Sequence, residues 1–180
     1  MNDKGKNLII IARNAIGEAF GFEPKAYEEG PWLLEPAATF VTLTMSDVLR
    51  GCIGSLEARR PLLDDLKNNA KASAFNDPRF PPLAQDEFNL IRVEVSLLSA
   101  PEAIESSDEA TATEQLRPFV DGIIFEYGKY RSTFLPQVWE QLPDPKEFLI
   151  HLKTKAGLSS GFWAEGVKLQ RYTVIKWKET

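Results

Sequence analysis

The sequence predicts an α+β fold in which antiparallel hairpins are layered with helices. Three observations carry that reading. Segments with apolar residues at i, i+3, i+4 spacing alternate with segments of period two. Two pairs of period-two segments are joined by short polar turns, which builds hairpins. Hairpins alternating with helices suit α+β layering better than a doubly wound parallel sheet.

Residues 7–20 place Leu8, Ile11, Ala12, Ala15, Ile16, Ala19 and Phe20 on one face and Arg13, Asn14 and Glu18 on the other, predicting an amphipathic helix that Gly21 ends. Residues 23–36 carry three prolines and form a structured loop. Residues 38–44 and 48–53 read as β-segments across the turn Met45-Ser46-Asp47. Pro61 sits at a first helical position, and Leu62, Leu63, Leu66, Ala70 and Ala74 mark the buried face of a second helix. The three prolines of residues 76–82 end it and impose a loop of defined shape. Ile91, Val93, Val95 and Leu97 alternate with Arg92, Glu94, Ser96 and Leu98, a half-buried strand closed by Pro101. Residues 102–112, polar and acidic, are the candidate linker or surface excursion, with a lobe boundary near 101–112. Residues 121–127 and 130–135 form a hairpin across Gly128-Lys129. Residues 137–141 and 145–156 are helical, with Asp144 as N-cap, and residues 169–177 are a last strand.

Composition excludes several classes of function. The chain of 180 residues has 21 Lys+Arg against 26 Asp+Glu, a net charge of −5, so no global electrostatic footprint favours nucleic acid. The longest strictly apolar run is residues 8–12, where a spanning helix needs about 20, so no membrane span is expected. Arg13 and Asn14 cut that run short of a signal-peptide core, and the reading is cytoplasmic. Cys52 and His151 are the only residues of their kinds, which rules out an intrachain disulfide. A zinc or iron–sulfur centre within one chain is excluded too, so no metal ligands are assigned and no cofactor is named. A carboxylate-only magnesium or calcium site survives this count.

Three segments are specific when taken together: residues 49–56 (Leu-Arg-Gly-Cys-Ile-Gly-Ser-Leu), residues 74–83 (Ala-Phe-Asn-Asp-Pro-Arg-Phe-Pro-Pro-Leu) and residues 127–139 (Tyr-Gly-Lys-Tyr-Arg-Ser-Thr-Phe-Leu-Pro-Gln-Val-Trp). Their order and spacing resemble the AMMECR domain family, also called AmmeMemoRadiSam system protein A in prokaryotes. The step Pro143-Asp144-Pro145, Phe148-Leu149 and Lys155-Ala156-Gly157-Leu158 extend the match over nearly the whole chain, residues 1–180 as one such domain. The resemblance implies an α+β protein with two lobes of mostly antiparallel sheet packed with helices. It also implies Memo-like and radical SAM proteins as partners. It does not itself supply a reaction.

Within those segments, Cys52 lies between Gly51 and Gly54 with Arg50 beside it. Glycines let a ligand approach the backbone, and a neighbouring cation suits a reactive thiol, so Cys52 is the candidate nucleophile. The competing reading is a small buried hydrophobe on a strand whose glycines mark a bulge or the strand exit. Asp77 and Arg79 sit in a proline-rigid loop that would pre-position them for a ligand, or else they pair with each other. Arg50, Arg59, Arg60, Arg79 and Arg131 are suited to bidentate recognition of a carboxylate or phosphate, and separate surface ion pairs are the alternative. Glu94, Glu126 and Tyr127 are candidates for acid–base work. His151, on a helix face, is read as having no catalytic role. The expected function is binding of a small anionic or nucleotide-like ligand in an inter-lobe cleft at Arg50, Gly51, Gly54, Asp77, Arg79 and Arg131, with catalysis at Cys52 left open. The alternative is a non-catalytic protein–protein interaction module.

Overall fold

The computed structural model describes residues 3–179. In chain order the elements are α1 (Asp3–Glu18), β1 (Pro36–Met45), β2 (Val48–Gly54), β3 (Arg60–Pro61), α2 (Leu62–Phe75), β4 (Ile91–Leu98), β5 (Glu102–Ile104), α3 (Glu109–Glu114), β6 (Gly122–Tyr127), β7 (Tyr130–Phe134), α4 (Pro145–Lys155), β8 (Lys168–Tyr172) and β9 (Val174–Lys178). The fold is α+β, with helices and two sheets. The chain divides into two compact units, Met1–Leu98 with Ile175–Thr180, and Ser99–Val174.

In the first unit the strands lie in the order β2-β1-β4-β9, with β3 paired to the start of β1. Val41 and Leu43 of β1 stand opposite Val95 and Val93 of β4, and all four are wholly buried. Period-two alternation therefore gives this face to the core. It packs with Leu8, Ile11, Ala12 and Ile16 of α1 and Leu66 and Ala70 of α2, the apolar faces that the spacing marks. The opposite face of the same strands carries Phe40, Thr42 and Cys52, with Glu94 in register. The β1–β2 turn takes Ser46 and Asp47 to φ of 49° and 61°, the left-handed pair that a two-residue hairpin requires. Asn14 pins the loop after α1 by bonding both the N–H and the C=O of Lys25, at 2.9 and 2.7 Å.

In the second unit the sheet order is β5-β8-β6-β7. Its core is built on Trp139 stacked on Phe148, ring centroids 3.7 Å apart and 9° from parallel, with Ile123, Phe125, Leu149 and Leu152 around them. Asp144 caps α4 by accepting from the N–H groups of Lys146 and Glu147 at 2.9 and 3.0 Å.

Three expectations need correction. The acidic segment 102–112 is not a linker, because it forms β5 and the start of α3, whose N-cap Asp108 accepts from Thr111 N–H at 2.8 Å. The single strand read over 169–177 is two strands in two different sheets, β8 and β9, parted at Thr173. Pro61 is the N-cap of α2, with extended backbone in β3, so the helix begins one residue later than its proline suggested.

Candidate functional site

The segment Arg50-Gly51-Cys52-Ile53-Gly54 lies on β2, at the edge of the first unit's sheet. Its register against β1 pairs Gly51 with Leu43 and then steps to Leu49 opposite Thr44, leaving Arg50 as the extra residue of a β-bulge. A bulge re-aims the side chain it carries. Arg50 Nε and Nη2 meet the Glu87 carboxylate at 2.9 and 2.8 Å, and Nη1 donates to the Pro81 carbonyl at 2.9 Å. Glu87 in turn accepts the Ala84 N–H at 2.8 Å, so this pair staples the proline loop to β2. The hydrogen bond between them raises the Arg50 pKa and lowers that of Glu87. Arg50 is buried and committed to these partners.

Cys52 turns its backbone polar groups away from β1. Its N–H donates to Asp77 Oδ2 at 2.8 Å, and its carbonyl accepts from Arg79 Nη2 at 3.1 Å. Two side chains thus stand where a neighbouring strand would, closing an edge that is otherwise open to pairing. Asp77 is buried, and its Oδ1 accepts Arg79 N–H and Nε at 3.1 and 2.9 Å while Oδ2 accepts Nη2 at 2.7 Å. The Arg79 guanidinium holds the Asp77 carboxyl far below the ordinary carboxylate range; burial opposes this and the Cys52 amide assists it. The Arg79 side chain is 53% exposed, its guanidinium lies 5.5 Å from the Phe80 ring centroid, and among the described residues its Nη1 makes no hydrogen bond.

The Cys52 thiol lies on the sheet face opposite the helices, with Sγ 3.1 Å from Thr42 Oγ1. Two residues along, Phe40 stands opposite Gly54, and a Cβ at Gly54 would fall 2.2 Å from the Phe40 ring. The missing side chain lets that ring lie across β2. Gly51 faces the other way, where a Cβ would fall 2.1 Å from the Ser73 carbonyl oxygen of α2. Both glycines therefore have a packing reason. Glu94 is in register with Thr42, two strands from Cys52, and Lys176 Nζ lies 4.0 Å from its carboxylate. A thiol, a hydroxyl, a carboxylate and an ammonium thus follow one another across the sheet.

Behind this row, Asp65 of α2 is buried and accepts from Thr39 N–H and Oγ1, each at 2.8 Å, Ser55 Oγ at 2.7 Å and Asn69 Nδ2 at 2.9 Å. It anchors the exit of β2 to the helix. Sequence reasoning missed Thr42, Asp65 and Lys176. The alternation of Phe40, Thr42 and Thr44 was a usable signal for the first. Lys176 was hidden because β8 and β9 read as one strand.

The remaining candidates lie in the second unit. Arg131 of β7 bonds Glu126 of β6 across the hairpin, Nε to Oε1 at 2.6 Å. His151 is exposed on α4. Among the described residues, no group of three or more His, Cys, Asp or Glu side chains gathers to hold a metal ion, and no helix is long and apolar enough to cross a membrane.

Known proteins place the chain. A protein of Methanocaldococcus jannaschii is 45% identical over 175 residues, covering 94% of this chain and 87% of the relative. One of Sulfolobus acidocaldarius is 38% identical over 186 residues, covering 98% and 82%. The crystal structure of an uncharacterized protein from Pyrococcus horikoshii matches with a TM-score of 0.79 at 35% identity, covering 99% of this chain and 93% of that one. The sequence model of the AMMECR1 family matches residues 9–177. On these matches, this chain belongs to the AMMECR1 family.

Proposed function

We propose that the protein binds a small anionic, nucleotide-like ligand at the corner of the first unit formed by Cys52, Arg79 and the Phe40 ring. One observation carries the reading: Arg79 is fixed by Asp77 and by the Cys52 carbonyl, yet keeps Nη1 unspent and half its side chain exposed. A guanidinium already immobilised loses little entropy on gripping a carboxylate or phosphate. The Phe40 ring laid over Gly54 offers a flat apolar surface to a base or ring beside the anion. In this arrangement Arg79 contacts the ligand, Cys52 borders it, and Arg50, Gly51, Gly54 and Asp77 hold the corner in shape. Chemistry at Cys52 would use its thiol as nucleophile, with Thr42 orienting it.

The test is a thermal-shift screen of the full chain against phosphate, pyrophosphate, AMP, ATP and citrate, with wild type beside Arg79→Lys. Lysine keeps a cation for Asp77 but has no second donor edge. A ligand at 100 times its Kd stabilises by about 2.7 kcal/mol. A shift seen in wild type and lost in Arg79→Lys supports the reading, and silence across the panel removes it.

A second reading, a docking module for Memo-like and radical SAM proteins, is supported by Val48, Leu49 and Leu56, exposed apolar side chains that bracket the same segment. Loss of both pull-downs in Val48→Asp/Leu49→Asp, with ligand shifts absent, would favour it.

A further inference from the structure

A cavity of about 420 Å³ opens in the first unit at the end of α1. Its lining includes Gly17, Phe22, Glu23, Lys25, Phe88 and Asn89. Its volume is that of a small-molecule site. The Phe22 and Phe88 rings stand with centroids 5.0 Å apart and planes at 55°. Gly17 lies against the Phe88 ring, where an added Cβ would come within 3.3 Å of it.

The cavity is held open by polar groups that are already spent. Arg13 donates to Glu179 Oε1 at 2.6 Å, to the Phe88 carbonyl at 2.9 Å and to the Ile91 carbonyl at 2.6 Å, with its guanidinium 5.1 Å from the Phe88 ring centroid. Asn14 uses both ends of its amide on the Lys25 backbone. Site and loop are therefore pre-formed, and a ligand would not have to order them. Among the described residues, the Lys25 ammonium, the Glu23 carboxylate and the Asn89 amide have no partner. Opposite charges two residues apart thus border an aromatic wall.

We propose that this cavity binds a small aromatic zwitterion, of the class of a free aromatic α-amino acid. Its ring would pack on Phe22 and Phe88, its carboxylate would meet Lys25, and its ammonium would meet Glu23. A simple anion or cation would satisfy one charge of the pair and face the other.

Heteronuclear NMR titration of the full chain tests this with L-phenylalanine, phenylacetate and phenethylamine. L-Phenylalanine is expected to shift amides of residues 13–25 and 88–89. Lys25→Gln should weaken L-phenylalanine and phenylacetate about fivefold and leave phenethylamine unchanged. Glu23→Gln should weaken L-phenylalanine and phenethylamine and leave phenylacetate unchanged. Both residues are exposed, so an otherwise unchanged spectrum certifies the fold of each variant. No shift at about 10 mM L-phenylalanine, or affinities unmoved by both variants, overturns the proposal. Neither outcome depends on Arg79 or Cys52.

Discussion

Asp77 stands in for a strand beside Cys52: one carboxylate oxygen accepts the Cys52 amide at 2.8 Å, and the arginine that this carboxylate anchors donates to the Cys52 carbonyl at 3.1 Å. The proline loop is thereby bonded to the edge strand at the residue whose thiol borders the candidate site. Removing the carboxylate leaves a half-buried amide unsatisfied and Arg79 unanchored. Asp77→Ala should destabilise the protein by about 2–4 kcal/mol in urea unfolding, and Asp77→Asn, which can still accept the amide, by less.

The same carboxylate makes stability acid-sensitive. Its folded-state pKa lies below its unfolded value of about 3.9, so its contribution is complete above that value and is lost as pH falls toward the folded one. Glu87, lowered by Arg50, acts in the same direction from about 4.3. Unfolding free energy should be level from neutral pH to about 5 and fall steeply below about 4. Asp77→Asn should flatten that fall, and equal slopes in the two proteins would contradict the assignment.

Arg50→Lys keeps the charge but cannot bridge a carboxylate and two carbonyls at once. The expected cost is about 2 kcal/mol. Hydrogen exchange should quicken at the amides of residues 77–87, with the core of the second unit unchanged.

Gly51→Ala sets a Cβ against the backbone oxygen of Ser73, which cannot step aside, and should cost about 3 kcal/mol. Gly54→Ala meets only the Phe40 ring, which can swing away. Its stability loss should be smaller, while ligand binding at the corner suffers. Paired thermal unfolding and binding measurements separate the two glycines.

Most of the framework was legible because its signals are local. The spacing of Leu8, Ile11 and Ile16, the Gly128 hairpin and the Asp144 cap each depend on residues within a few positions. Two features of the fold were not local. Residues 169–177 look like one strand because β-propensity does not record a change of sheet at Thr173. Residues 102–112 look like a linker because short elements such as β5 and α3 owe their form to packing rather than pattern. At the site, sequence singled out Cys52 for its flanking glycines and Asp77 and Arg79 for their proline-rigid loop, and the fold brings these three into contact. The destination of Arg50 was hidden, since a one-residue register step decides where a bulged side chain goes.

The most direct measurement is the rate at which iodoacetamide alkylates Cys52, which is the chain's sole cysteine and so gives a one-site readout. The rate is taken with and without the best-stabilising probe of the anion panel, in wild type and in Arg79→Lys. An anion seated on Arg79 should change the wild-type rate at least about fivefold and leave the variant's rate unmoved. Equal wild-type rates with the probe demonstrably bound would place the ligand elsewhere and contradict the account.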